Sequence, residues 1–147
     1  MKQEKDFTTS IIVDKSPSEV FEAINNVRGW WQGEITGDTT NLNDEFIYHM
    51  KPYHLSKQKI VQLIKDKKVV WLVTESSLSF VEKKDEWTGT TIEFNIEPEG
   101  NKTKLSFIHH GLVPTIECYG GCSSGWAKVV EKSLFNFINT GKGVDVF

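Results

Sequence analysis

A chain of 147 residues, 38% hydrophobic and 25% charged with a formal charge of -3, has the makeup of one domain able to bury a core unaided by disulfides. Only one of its 17 basic residues is an arginine, Arg28, which argues against a nucleic-acid partner. Two cysteines make no disulfide framework, MKQEKDFTTS lacks a signal peptide's apolar core, and no stretch approaches the roughly 18 apolar residues of a membrane span, so residues 1–147 read as one cytoplasmic domain.

DFTTSIIVD alternates Phe7, Thr9, Ile11 and Val13 against Thr8, Ser10, Ile12 and Asp14, the period of a strand with one drier face. SPSEVFEAINNV then offers Ser16 as N-cap, Pro17 at the first helical position and Glu19 where a capping box needs its carboxylate, with Val20, Phe21 and Ile24 on one stripe. RGWWQGEITG reads as another helical turn or two followed by a loop. From Asp44 to His110 come EFIYHM, SKQKIVQLI, KVVWLVTE, GTTIEFNIE and KTKLSFIHH, each of strand length and parted by short polar turns. Short connections imply antiparallel pairing. In GTTIEFNIE, Ile92, Phe94 and Ile96 face one way and Thr91, Glu93, Asn95 and Glu97 the other, so the sheet has a buried face.

The final segment places Trp126, Val129, Val130, Ser133, Leu134, Phe137 and Ile138 on one helical stripe, with Lys128, Glu131, Lys132 and Asn136 opposite and Gly141 as the stop. A helix is expected from about residue 120 to 140, its stripe laid on the sheet because neither can leave its apolar face in water. The fold class is α+β.

This order, with SPSEVFEAI after the first strand, the WWQGEITG loop and the closing GWAKVVEKSLFNFINTGKG, resembles the START-like helix-grip superfamily, the architecture of polyketide cyclases. Within it the closing segment is similar to the subfamily named for the activator of the ninety-kilodalton heat-shock-protein ATPase. The resemblance implies a curved antiparallel sheet of six to seven strands gripping the long helix, two short helices after the first strand, and a cavity for a hydrophobic small molecule such as a lipid, polyketide or aromatic compound. It implies no reaction and no cofactor.

Two histidines and both cysteines fall within FIHHGLVPTIECYGGC. His109 and His110 are adjacent on a strand, so they leave opposite faces and cannot grasp one ion. His109 should point inward with Leu105 and Phe107, as a hydrogen-bonded core residue or as a contact to a ligand. Cys118 and Cys122, at i and i+4 of a helix start, would hold their Cβ atoms about 5–6 Å apart against roughly 3.8 Å in a relaxed disulfide, so free, metal-free thiols are expected. Gly120, Gly121 and Gly125 read as the turn from strand into helix. Glu82, Asp85 and Glu86, interleaved with lysines, read as a solvated loop.

Trp30 and Trp31 either plug the core or stand at the mouth of a cavity. The remaining candidates for its wall are Phe46, Tyr48, Trp71, Val73, Phe94, Phe107, Trp126, Val130 and Leu134, with Tyr48 or His109 as polar tips and Cys118 beside them. Three readings follow. The first is noncatalytic binding of a hydrophobic small molecule; the second is a protein-interaction or stress- and chaperone-associated domain; the third is a cyclase- or hydrolase-like enzyme using His109 or a tyrosine.

Overall fold

In the computed structural model, which describes residues 5–146, strand β1 (Phe7–Val13) keeps the alternation of its sequence, with Ile11 and Val13 buried and Ile12 exposed. Helix α1 (Pro17–Asn25) begins at the expected capping box: Ser16 Oγ accepts from the Glu19 N–H and the Glu19 carboxylate accepts from the Ser16 N–H. A 3-10 turn at Val27–Gly29 follows as the second short helical element.

The loop expected after Trp31 instead contains β2 (Glu34–Gly37), an edge strand paired with β3 (Glu45–Met50). Four residues with a single half-buried isoleucine carry too little alternation to read, and their pairing is settled by β3 further along the chain. Strands β4 (His54–Ile64), β5 (Lys68–Leu78), β6 (Thr91–Glu99) and β7 (Lys102–His110) complete a seven-stranded antiparallel sheet. Its order is β1-β7-β6-β5-β4-β3-β2, so the first strand closes beside the last. Register shifts at Lys57/Gln58 and Ile60/Gln62 bend the β4–β5 pair and help curve the sheet.

One continuous helical run ends the fold. It comprises α2 (Tyr119–Lys128), a π-helical segment (Val129–Leu134) and α3 (Phe135–Thr140), and stops at Gly141 with φ +83°. Trp126, Val129, Val130, Ser133, Leu134 and Ile138 are buried as the stripe requires; Phe137 is half-buried. Ser133, inside the π segment, donates to the Trp30 carbonyl at 2.6 Å and accepts from the Val144 N–H at 3.1 Å. One buried hydroxyl thus joins the helix to the start of the Trp30–Trp31 loop and to the returning tail.

The turn out of β7 belongs to Gly111, not to the three glycines that the sequence suggests. Gly111 sits at φ +98°, and a Cβ there would meet the Thr90 side chain at 2.6 Å. Gly120, Gly121 and Gly125 lie within α2. The helix can start this early because the Glu86 carboxylate accepts the N–H groups of Glu117 and Cys118, each at 2.9 Å. Glu86 is therefore a cap across the fold, not part of a merely solvated loop. Among the described residues, no helix is long and apolar enough to cross a membrane.

Candidate ligand pocket

Between the inner face of β3 and β4, the connection from β5 to β6, and the first turns of α2 lies a cavity of about 230 Å³. Its walls are aromatic. Trp31 and Tyr48 stack at 3.8 Å between ring centroids, Trp87 and Trp126 stack at 5.7 Å, and His54 meets Tyr48 and Trp87 edge-on at 5.0 and 4.5 Å. Tyr53 and Phe80, 58% and 47% exposed, mark the mouth. Gly121, Gly125 and Cys122 form the helix side, where the absence of two side chains leaves room.

A hydrogen-bond chain fixes one wall. The Trp126 indole N–H donates to His109 Nδ1 at 3.0 Å, which leaves Nε2 carrying the histidine proton. Nε2–H then donates to Thr90 Oγ1 at 2.8 Å, and the Thr90 hydroxyl donates to the Trp87 carbonyl at 2.6 Å. Trp126 and Trp87, the stacked pair, are thus tied through His109 and Thr90. Burial lowers the His109 pKa to about 3, the Asp6 charge opposing it and the His110 and His54 charges assisting. With both ring nitrogens engaged and the ring neutral, His109 is a positioning residue and has no lone pair for a ligand.

The other expected polar tip is spent as well. The Tyr48 hydroxyl donates to the Gln32 carbonyl, and burial holds its phenol well above the ordinary range. His54 replaces it at the pocket: its Nε2 lies 2.9 Å from Ser56 Oγ, and burial first, then the His49 charge, lowers its pKa to about 3.

The sequence-derived candidates divide cleanly in space. Trp31, Tyr48 and Trp126 line the cavity. Trp30, Phe46, Trp71, Val73, Phe94, Phe107, Val130 and Leu134 are buried in the core beside it. Trp30 donates its indole N–H to the Ala23 and Ile24 carbonyls and stacks on Trp71, whereas its neighbour Trp31 turns to the cavity. Cys118 is buried behind Cys122, and both are free thiols. Cys122 is pushed below its ordinary pKa chiefly by the Cys118 thiol, while Cys118 is pushed above by the same partner and by burial.

Sequence reasoning missed His54 and Trp87, which carry the aromatic wall between the two stacks, and also Met50, Tyr53, Phe80, Cys122 and Val129. On β4 the inward positions include the polar Ser56 and Gln58, while the outward Leu55 is exposed, so the usual alternation is inverted and hides the inward face. Trp87 sits in a charged connection. Its signal was size: an indole this large, here 3% exposed, is seldom left in water. Among the described residues, no three His, Cys, Asp or Glu side chains are placed to hold a metal ion.

No protein-family model matches the chain, and no curated protein matches it. Solved structures do. The solution structure of the Aha1 dimer from Colwellia psychrerythraea is 23% identical, covers 95% of this chain and 99% of its own, and superposes with a TM-score of 0.76. The protein SSP2350 from Staphylococcus saprophyticus is 14% identical with a TM-score of 0.71, covering 97% of this chain and 98% of its own. CalU16 from Micromonospora echinospora is 15% identical with a TM-score of 0.61, covering 92% and 76%. At these identities the likeness is one of fold, and the fold is the helix-grip architecture of a curved sheet closed around a long C-terminal helix.

Proposed function

We propose that the chain is a noncatalytic, cytoplasmic binding domain that encloses a small hydrophobic molecule, aromatic or otherwise flat, between the sheet and the start of the C-terminal helix. The observation that carries this reading is the aromatic-walled cavity of about 230 Å³, opening between two exposed aromatic side chains. Its volume favours a compact ligand over a long lipid. Stacked indole and phenol faces supply area without rotamer entropy. The two polar groups that would have suggested acid–base chemistry, Tyr48 and His109, already donate or accept within the protein.

Native mass spectrometry of freshly purified protein, followed by titration with naphthalene, 4-phenyl-2-butanone and decanoic acid, tests the reading. Saturable quenching of tryptophan emission, lost in Trp31→Ala, is the expected result. If no compound changes the emission and nothing co-purifies, the reading falls. Tyr53 and Phe80 then become the centre of the second reading, a protein-interaction surface of the stress- or chaperone-associated kind.

A further inference from the structure

The cavity contains a nucleophile that the binding reading does not use. Cys122 lies in the first turn of α2 and lines the cavity, whereas Cys118 is excluded from it. Gly121 and Gly125 flank the thiol on the same wall and cover it with no side chain. Trp87 lines the same cavity, and its indole N–H has no hydrogen-bond partner although Trp87 is 3% exposed, while Cys118 lies one helical turn before Cys122. The N-terminal end of the helix adds its partial positive charge. Burial and the Glu86 carboxylate oppose ionisation, but the Cys118 hydrogen bond is the largest influence and the net direction is downward. On the facing side, the stacked Trp31–Tyr48 pair offers a flat surface for a conjugated ligand.

We propose that Cys122 captures small hydrophobic α,β-unsaturated carbonyl compounds as covalent adducts inside this cavity. The inference rests on the binding reading and goes beyond it by naming the compound class and the atom bonded. Cys122 Sγ, as thiolate, gives its electron pair to the β-carbon and forms a carbon–sulfur bond. The alkene π pair moves toward the carbonyl as an enolate, which takes back at the α-carbon the proton that the thiol gave up. The sum is addition of S–H across C=C, with no leaving group, oxidant or reductant. The adduct is stoichiometric and the step is not a turnover.

The probe is 4-phenyl-3-buten-2-one, and the saturated 4-phenyl-2-butanone is its non-electrophilic control. Intact-mass kinetics at pH 7 should show a single adduct per native chain, mapped to Cys122, forming about tenfold or more faster than with N-acetylcysteine because the cavity raises the local concentration. The saturated ketone should bind reversibly and slow the reaction. Cys122→Ser should keep the fold and lose the adduct; Cys118→Ser should keep the adduct and form it more slowly. If the saturated ketone binds but the enone leaves Cys122 unmodified, or modifies it no faster than free thiol, this inference is overturned and the binding reading stands. Labelling at Cys118 instead also overturns it. If neither ketone binds, this inference falls, and the binding reading falls with it when naphthalene and decanoic acid also fail to bind and nothing co-purifies.

Discussion

Trp30 and Trp31 are adjacent in the chain and occupy opposite halves of the interface between helix and sheet. In the closed half, Trp30 is fully buried against Trp71 and Phe94, its N–H satisfied by the end of α1, and the Ser133 hydroxyl fixes the backbone at its carbonyl. In the open half, Trp31 is nearly as buried but spends one face on a cavity shared with Tyr48, His54, Trp87 and Trp126. Burial alone therefore does not separate core from site. What separates them is whether the second face of a ring meets packed atoms or an open volume.

The largest effect should come from breaking the closed half. Trp30→Ala removes a fully enclosed indole and is expected to destabilise the domain by about 3–5 kcal/mol. Trp31→Ala already borders empty space and should fall at or below about 3 kcal/mol, while abolishing probe binding. Urea denaturation and 4-phenyl-2-butanone titration of the two variants decide the matter. Equal stability losses, or a Trp31→Ala variant that still binds, would erase the distinction between the halves.

Which elements were legible follows from the same difference. The capping box, the six longer strands and the stripe from Trp126 to Ile138 stand on local periodicity, and the closed half is made from such regular apolar positions. The open half is assembled from irregular pieces. His54 begins a strand whose inward face includes polar residues, Trp87 lies between charged turns, and β2 is too short to show a period. Periodicity finds walls only when they alternate, and a cavity gathers residues by distance in space. Trp31, Tyr48 and Trp126 were visible as bulky aromatics, but nothing in spacing separates them from Trp30, Trp71 and Phe94.

Acid should weaken the protein through the open half, where the buried His109 and the half-buried His54 lie. His109 is held neutral, with a folded pKa of about 3 against roughly 6.5 in the unfolded chain. Between these values the unfolded state binds the extra proton, so this stabilisation is complete above pH 6.5 and is lost as pH falls toward 3. At pH 4.5 the loss from His109 is on the order of 3 kcal/mol, at about 1.4 kcal/mol per unit. His54, lowered in the same direction, adds to it. Trp126→Phe removes the N–H donated to Nδ1 but leaves the burial that chiefly lowers the pKa, so it should raise the folded pKa only in part and moderately flatten the acid limb of a stability-against-pH curve. A variant with the same acid slope as wild type would show that the Trp126–His109 bond does not hold the ring neutral.

The smallest expected effect sharpens the comparison most, because it reaches the cavity from outside. Glu86 is not one of the residues lining the cavity, yet its carboxylate caps the N–H groups of Glu117 and Cys118 and its own backbone continues into Trp87. One exposed connection therefore holds both the start of α2 and one of the stacked indoles. A second stitch runs the other way, with the Glu117 carboxylate accepting the Glu82 N–H at 2.9 Å. Glu86→Ala frees two N–H groups at the helix start and should cost about 1 kcal/mol of stability, as loss of an N-cap does. If that loosening falls on the open half, affinity for 4-phenyl-2-butanone should drop about fivefold, which is the same free energy read as binding. Amide exchange should quicken at Glu117 and Cys118 while the amides around Val130 and Leu134 keep their protection. Faster exchange throughout the helix would mean that the two halves open together, and the contrast between Trp30 and Trp31 would then describe packing alone.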